Sequence, residues 1–407
     1  MNRRNASVIA VFGVREFRFL WSAELLSIFG DQLARVALAV LVYGRTQSAL
    51  WSAAVYALTF LPALLGGVLL SWLADRFRRR AVMVGADVAR AVLVAAMAMP
   101  GLPLWALCAL LVVVVLLGSP FAAAQGALLP DVLPGELYDR GLAVRQMTSQ
   151  AAQLVGFAGG GVLVAAISPG LALVADAVTF LLSAALIRIG VANRPTPTAT
   201  RDTGGSVRGV ITSIAADPRR RVLVLLAWLV GWYVVPEALA APYADQLGAG
   251  PAVVGVLMAA DPLGSVLGAW LFVRYVPAHH RARLVGVLAV CAGIPLVLCA
   301  FRPGLVLTFA LWSLSGAAST AYLLQTQSGF VRATPDADRG RAIGVAASGI
   351  VAAQGIAVFI GGVMADLWDP AIATAVAGAT GALCSFACAV AWRRADQPPA
   401  DVAPTGG

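Results

Sequence analysis

Residues Gly66 to Arg90 read GGVLLSWLADRFRRRAVMVGADVAR, and this stretch decides the fold. An apolar run ends in a turn dense in arginine, and a second apolar run begins at once with Asp87 and Arg90 inside it. A turn this charged between segments this apolar cannot sit in hydrocarbon, so the chain surfaces from a bilayer here and re-enters it. Composition extends the reading to the whole chain. Of 407 residues, 60% are hydrophobic and only 12% charged, whereas soluble domains carry about 25% charged residues. The sequence is that of a polytopic membrane protein.

Spans of about 20 residues are needed to cross a bilayer. Twelve are predicted, near 19–43, 48–73, 81–99, 104–127, 141–166, 169–191, 222–246, 252–274, 284–301, 304–327, 341–366 and 370–392. The expected class is therefore all-α, with twelve transmembrane helices in two six-helix bundles. The expected domains are an N-terminal bundle over 1–192, a cytoplasmic central loop over 193–221, a C-terminal bundle over 222–394 and a disordered tail over 395–407. Within the central loop, SVRGVITSIAADP can form a short amphipathic helix.

All 29 basic residues are arginine, and 25 of them fall in, or within about one helical turn of, the termini, the central loop and the even-numbered turns. Only Arg45 and Arg302 lie in turns on the other side, and Arg35 and Arg90 lie within spans. The positive-inside rule places both termini in the cytoplasm, in an inner or plasma membrane. The net charge of +9 serves orientation, and no nucleic-acid partner is expected. The first eighteen residues lack a cleavable signal, so the first span is expected to act as an uncleaved insertion signal. Cys108, Cys291, Cys299, Cys384 and Cys388 lie in apolar runs, and no disulfide is expected.

Charges inside spans are the natural functional candidates, because one at mid-bilayer costs at least about 2.5–3.5 kcal/mol on insertion scales. Glu24, Asp31 and Arg35 share one face of the first helix, and Asp31 can pair with Arg35 one turn on. Asp176, Glu237 and Asp261 add acids to the sixth, seventh and eighth spans. These six are the candidate proton and substrate pathway, with Glu24 expected to lack a cationic partner. Asp75, Arg76, Arg78, Arg79, Arg80, Asp87 and Arg90 form a candidate cytoplasmic gate, whose arginines can pair with Asp87 or Asp131. Gln146, Gln150 and Gln153 make a polar stripe, and Trp228, Trp232 and Tyr233 could stack on a bulky apolar substrate. Asp366 reads as an ordinary helix-end residue.

The halves look duplicated. Asp139-Arg140-Gly141 recurs 199 residues later as Asp338-Arg339-Gly340, and the same offset relates Ser149 to Ser348 and Gly156 to Gly355. Repeated halves with a site between them are the architecture of alternating-access carriers.

With these residues in view, the chain resembles the major facilitator superfamily. That family's hairpin motif aligns at Asp75, Arg76, Arg79 and Arg80, with Ser71 and Arg78 where the motif has glycines and Ala81 in its last basic place. Gly156-Phe157-Ala158-Gly159-Gly160-Gly161 is similar to the exporters' Gly-Pro-x-x-Gly-Gly, and Gly156, Gly159, Gly160 and Gly161 are expected to permit helix packing or bending. ALLPDVLPGELYDRGLAV and LVADAVTFLLSAALI resemble the branch containing macrolide-efflux proteins and the enterobactin exporter. The resemblance implies a proton-coupled antiporter exporting a small amphipathic molecule. An uptake carrier and a non-transporting membrane sensor or assembly protein are the alternatives. The expected partners are a small-molecule substrate, protons and membrane lipid, with no obligate protein partner.

Enzyme chemistry finds no footing in the sequence. There is no Walker loop, the adjacent His279 and His280 lie in a basic turn, and no metal-ligand or cofactor motif is present.

Overall fold

A computed structural model describes residues 8–70, 72–195, 207–335 and 339–395. The described chain is all helical, 89% helix with no strand. Among the described residues, eleven helices are long and apolar enough to cross a membrane. A twelfth pass, Arg79–Met97, carries Arg79, Arg80, Asp87 and Arg90 among its 19 residues and so falls outside that apolar set.

In the first half, α1 is Arg15–Thr46, and α2 is interrupted at 58–60, between Ala49–Ala57 and Leu61–Leu70, with Trp72–Arg76 described further along it. Then come α3 (Arg79–Met97), α4 (Leu104–Val132), α5 (Glu136–Ala166) and α6 (Pro169–Gly190). In the second half, α7 is also interrupted, at Leu229 and Leu239, and runs as Pro218–Trp228, Val230–Ala238 and Ala240–Gln246. It is followed by α8 (Pro251–Tyr275), α9 (Ala278–Val297), α10 (Leu305–Ala333), α11 (Arg339–Leu367) and α12 (Pro370–Ala395). Ser48, Ser168 and Asp217 cap α2, α6 and α7 with side-chain oxygens on backbone N–H groups, which supplies the partners that helix starts lack.

The breaks in α2 and α7 have local causes. Pro62 follows the 58–60 turn, and Pro236 removes a donor just before the break at Leu239. The linker helix Val207–Ala216 buries Val210 and Ile214 against Leu223, Val224, Phe330 and Ala342, so it covers the arginine-rich end of the second half.

The core divides unevenly between the two faces. Toward the arginine-poor face, one apolar cluster joins the halves, from Leu33 and Val36 through Tyr56 and Phe157 to Tyr233, Leu257 and Val358. Toward the arginine-rich face the buried residues separate into two clusters, one within 11–191 and one within 210–342. The halves are therefore sealed together on the arginine-poor face and parted on the other.

Glycine makes that seal close. A Cβ on Gly161 of α5 would stand 2.7 Å from the Gly255 Cα of α8, and one on Gly362 of α11 would stand 2.4 Å from the Ala53 Cβ of α2. Gly160 packs on Leu33 and Val36 of α1, as Gly361 packs on Val235 of α7. These matched contacts relate α5 to α11 by 201 residues, not the 199 of the sequence matches. Gly156 and Gly355, paired at 199, pack differently: Gly156 against Gln32 of its own half, Gly355 against Leu61 of the other. Gly159 has only ordinary contact, with Phe29 at 3.9 Å.

Candidate functional site

Among the described residues, three groups built on buried or half-buried charges carry the candidate site. The first surrounds Arg90 of α3. Its Nη2 donates to both Asp31 oxygens of α1 at 2.9 and 3.2 Å, and its Nη1 lies 3.8 Å from Asp87. Its guanidinium also lies over the Phe180 ring, 4.0 Å from the centroid. Asp87 is fully buried and accepts from Ser183 Oγ at 2.6 Å. Asp176 is buried and accepts from Thr179. Asp31, Arg35, Arg90 and Asp176 line a cavity of about 140 Å³ inside the first bundle.

This geometry corrects two expectations. Asp31 pairs with Arg90, not with Arg35, because the neighbouring helix brings a guanidinium closer than the next turn of α1 does. Asp87 and Arg90, grouped in the sequence with the hairpin charges, sit instead in this buried group: Arg90 is 7% exposed and Asp87 fully buried.

The second group lies on the seam between the halves, where α2 and α7 both break. Tyr56 Oη of α2 donates to Glu237 Oε2 of α7 at 2.5 Å. The Arg35 guanidinium lies 5.8 Å from the Tyr56 ring centroid and 5.5 Å from that of Phe60, and it donates to Gln32 at 3.3 Å. Asp261 of α8 packs against Gly316 of α10 and stands within electrostatic reach of Glu237. Interrupted helices at membrane depth, meeting at a repeat interface, mark binding sites in carriers. Of the six pathway candidates, Asp31 bonds within the first half, Asp261 packs within the second, and Glu237 is the acid that bonds across the seam.

The third group faces the parted side. Arg145 of α5 clamps Glu24 of α1 with Nε and Nη2, both at 2.6 Å, and Nη2 also reaches Gln125 Oε1 at 2.9 Å. Glu24, expected to be unpaired, has a bidentate cation, the strongest form of such a contact.

The hairpin arginines act within the first half. Arg79 donates to Asp131 at 2.7 Å and to the Ala127 carbonyl at 2.8 Å, while Arg80 donates to the Val191 carbonyl at 3.0 Å. Arg76 and Arg78 are exposed. The Asp75 side chain and Ser71 lie outside the described residues, as do Asp338 and the tail from 396 on. Gln146 is exposed, and Gln150 and Gln153 are half-buried. Tyr233 is buried in the second bundle, donating to the Ala289 carbonyl at 2.7 Å. Trp232 is half-buried in the shared core. Trp228 donates to the Ala346 carbonyl at 3.2 Å, with its ring against Gly349.

On the arginine-poor face two acids of the second half hold the first. Asp366 accepts from Ser48 Oγ at 2.7 Å and from the Ala49 and Leu50 N–H groups at 2.7 and 3.1 Å. It thus caps α2 across the seam, which is more than a helix-end role. Asp245 accepts from Tyr43 Oη at 3.0 Å. Beside them Asp369 accepts from Arg302 at 2.8 Å and from the Ile372 N–H at 2.9 Å. Burial works to raise the Asp369 pKa, but these donors outweigh it and hold the carboxyl below its usual range.

Two bundles sealed on one face, parted on the other and lined by buried charge define a membrane carrier. The model of the Major Facilitator Superfamily matches residues 20–236 and 222–406, and the chain belongs to that superfamily. Its solved likenesses agree in fold. A bacterial homologue of the human lysosomal transporter Spinster, inward-facing and unoccupied, aligns with a TM-score of 0.66 at 15% identity, over 93% of this chain and 95% of that one. The peptide transporter POT in complex with sulfate gives 0.73 at 13%, over 94% and 95%. The nucleoside transporter NupG gives 0.72 at 12%, over 93% and 100%. No curated protein matches the sequence.

Proposed function

We propose that the chain is a secondary carrier that exports a small amphipathic molecule from the cytoplasm in exchange for protons. The arginine-rich face is taken as cytoplasmic by the positive-inside rule, so the conformation described is open to the cytoplasm. The observation that carries the reading is the Tyr56–Glu237 hydrogen bond, which spans the seam where both contributing helices are interrupted.

A charged Glu237 accepts from Tyr56 and attracts Arg35, and both contacts favour the state closed to the outside. When the halves rock and Glu237 meets the outside, it can take a proton there, which weakens its hold on Tyr56. Release of that proton to the cytoplasm restores the contact and readies the inner vestibule for cargo. Such a cycle needs only that the two states differ in affinity for the proton.

The reading is tested in inside-out membrane vesicles, with a panel of lipophilic antibiotics and siderophore-like compounds. An imposed pH gradient, acid inside, is expected to drive uptake of at least one compound. Uptake of none, or uptake indifferent to the gradient, would remove proton-coupled export.

A further inference from the structure

The repeat relation can be carried from the seam down to the parted face. At the 201-residue offset set by Gly161 and Gly362, Arg145 of α5 corresponds to Ala346 of α11. The same offset places Thr326 where Gln125 stands and Leu225 at the place of Glu24, whose inward neighbour by one residue is the buried Val224. In the first half this place is filled, because Arg145, Glu24 and Gln125 bond to one another. In the second half it is vacant: Val224, Ala227, Thr326, Phe330 and Ala346 surround a cavity of about 210 Å³.

Replacing a guanidinium and a carboxylate by a methyl and an isopropyl group removes both volume and charge. The bundle has not closed over the loss. Trp228, with its Nε1 on the Ala346 carbonyl and its ring on Gly349, ties α7 to α11 next to the lining residues Ala227 and Ala346. Native cores leave few voids larger than a water molecule, and an engineered apolar cavity of about 150 Å³ stays dry and takes up benzene. A larger one, apolar and with exposed residues Gln327, Ile343 and Ala347 at its edge, is built for a guest.

We propose that this pocket between α7, α10 and α11 is the subsite for the hydrophobic part of the cargo, an aromatic or fused-ring group. The repeat-related Glu24–Arg145–Gln125 group is the polar wall for the rest of it. The inference rests on the export reading, and it deepens that reading by naming the half and the helices that take the apolar end. Duplicated halves that have diverged at one place, polar in one copy and hollow in the other, suit a molecule with two unlike ends.

The test is equilibrium binding of N-phenyl-1-naphthylamine to the full chain in lipid nanodiscs, read as energy transfer from tryptophan. Binding without a gradient separates this inference from the transport cycle: export can fail while the pocket stands, and the pocket can fail while export stands. Wild type is expected to show a saturable component that weakens in Trp228→Phe, which removes the nearest donor. Ala227→Leu and Ala347→Phe, which fill the void and its edge, are expected to weaken affinity at least about tenfold. Leu271→Phe, in the groove lined by Phe272, Leu288 and Leu314, is expected to leave it unchanged. Should Ala227→Leu not fold, Ala347→Phe at the exposed edge decides. No saturable component, or unchanged affinity in the filled variants, overturns the proposal.

Discussion

The seal on the arginine-poor face depends on one crossing where two backbones meet without side chains, and Gly161→Ala tests it. The added Cβ would stand 2.7 Å from the Gly255 Cα, 2.8 Å from the Ala252 carbonyl oxygen and 2.9 Å from the Gly255 nitrogen. All three are backbone atoms, so no rotamer change relieves the clash. The helices must part by about 0.7 Å before ordinary contact at 3.4 Å is reached. Overpacking of this kind costs about 1–3 kcal/mol, and it falls only on the conformation in which α5 and α8 touch. A bias of that size shifts a two-state equilibrium by about 5–150-fold. Gly159→Ala is the matched control, since its nearest neighbour is Phe29 at 3.9 Å. Both substitutions gain the same helix propensity of about 0.5–1 kcal/mol, so their difference isolates the crossing. Spin labels at Gly44 and Gln246, near the Tyr43–Asp245 bond, report the opening by pulsed electron paramagnetic resonance. Gly161→Ala is expected to add a long-distance population that Gly159→Ala lacks. Identical distance distributions in the two variants would refute the reasoning.

Arg145→Ala is expected to lower stability by about 1–3 kcal/mol, less than the about 3–5 of a fully buried pair, since both side chains of the pair stay about a fifth exposed, 20% and 18%. Glu24→Gln combined with Arg145→Met is expected to recover part of the loss in melting temperature. Asp366→Ala removes three acceptor contacts that exist only while the halves are sealed. It is expected to cost that state about 1–2 kcal/mol and to speed alkylation of a cysteine placed at Ala49. The depressed Asp369 carboxyl contributes stability that is present above its unfolded value and is lost as pH falls through its folded one. Asp369→Asn is therefore expected to lower the melting temperature at neutral pH, and to match wild type once pH falls well below about 4.

The hairpin, the spans and the class were legible because each follows from hydropathy and charge read along the chain. The partners were not, because partners are chosen by packing across it. Arg145 looked like a turn arginine, but α5 begins at Glu136, which draws Arg145 into the helix and onto Glu24. Asp31 had a cation one turn away in sequence and a better one on α3. Tyr56 carries no signal at all, being one aromatic in an apolar run until Glu237 arrives from 181 residues away. Asp366 shows its role only when α2 is laid against α11. The repeat was found at an offset of 199, while matched packing sets 201. Short matches in a Gly- and Ala-rich chain are blind to small insertions between helices.

The most direct test of proton-coupled exchange is proton counterflow in proteoliposomes, measured with an internal pH indicator while a transported compound moves down an imposed concentration gradient. Wild type is expected to move protons against the compound, and Glu237→Gln is expected to abolish that counterflow while leaving compound binding in place. Counterflow that survives in Glu237→Gln, or compound movement without any proton flow in wild type, would contradict the account.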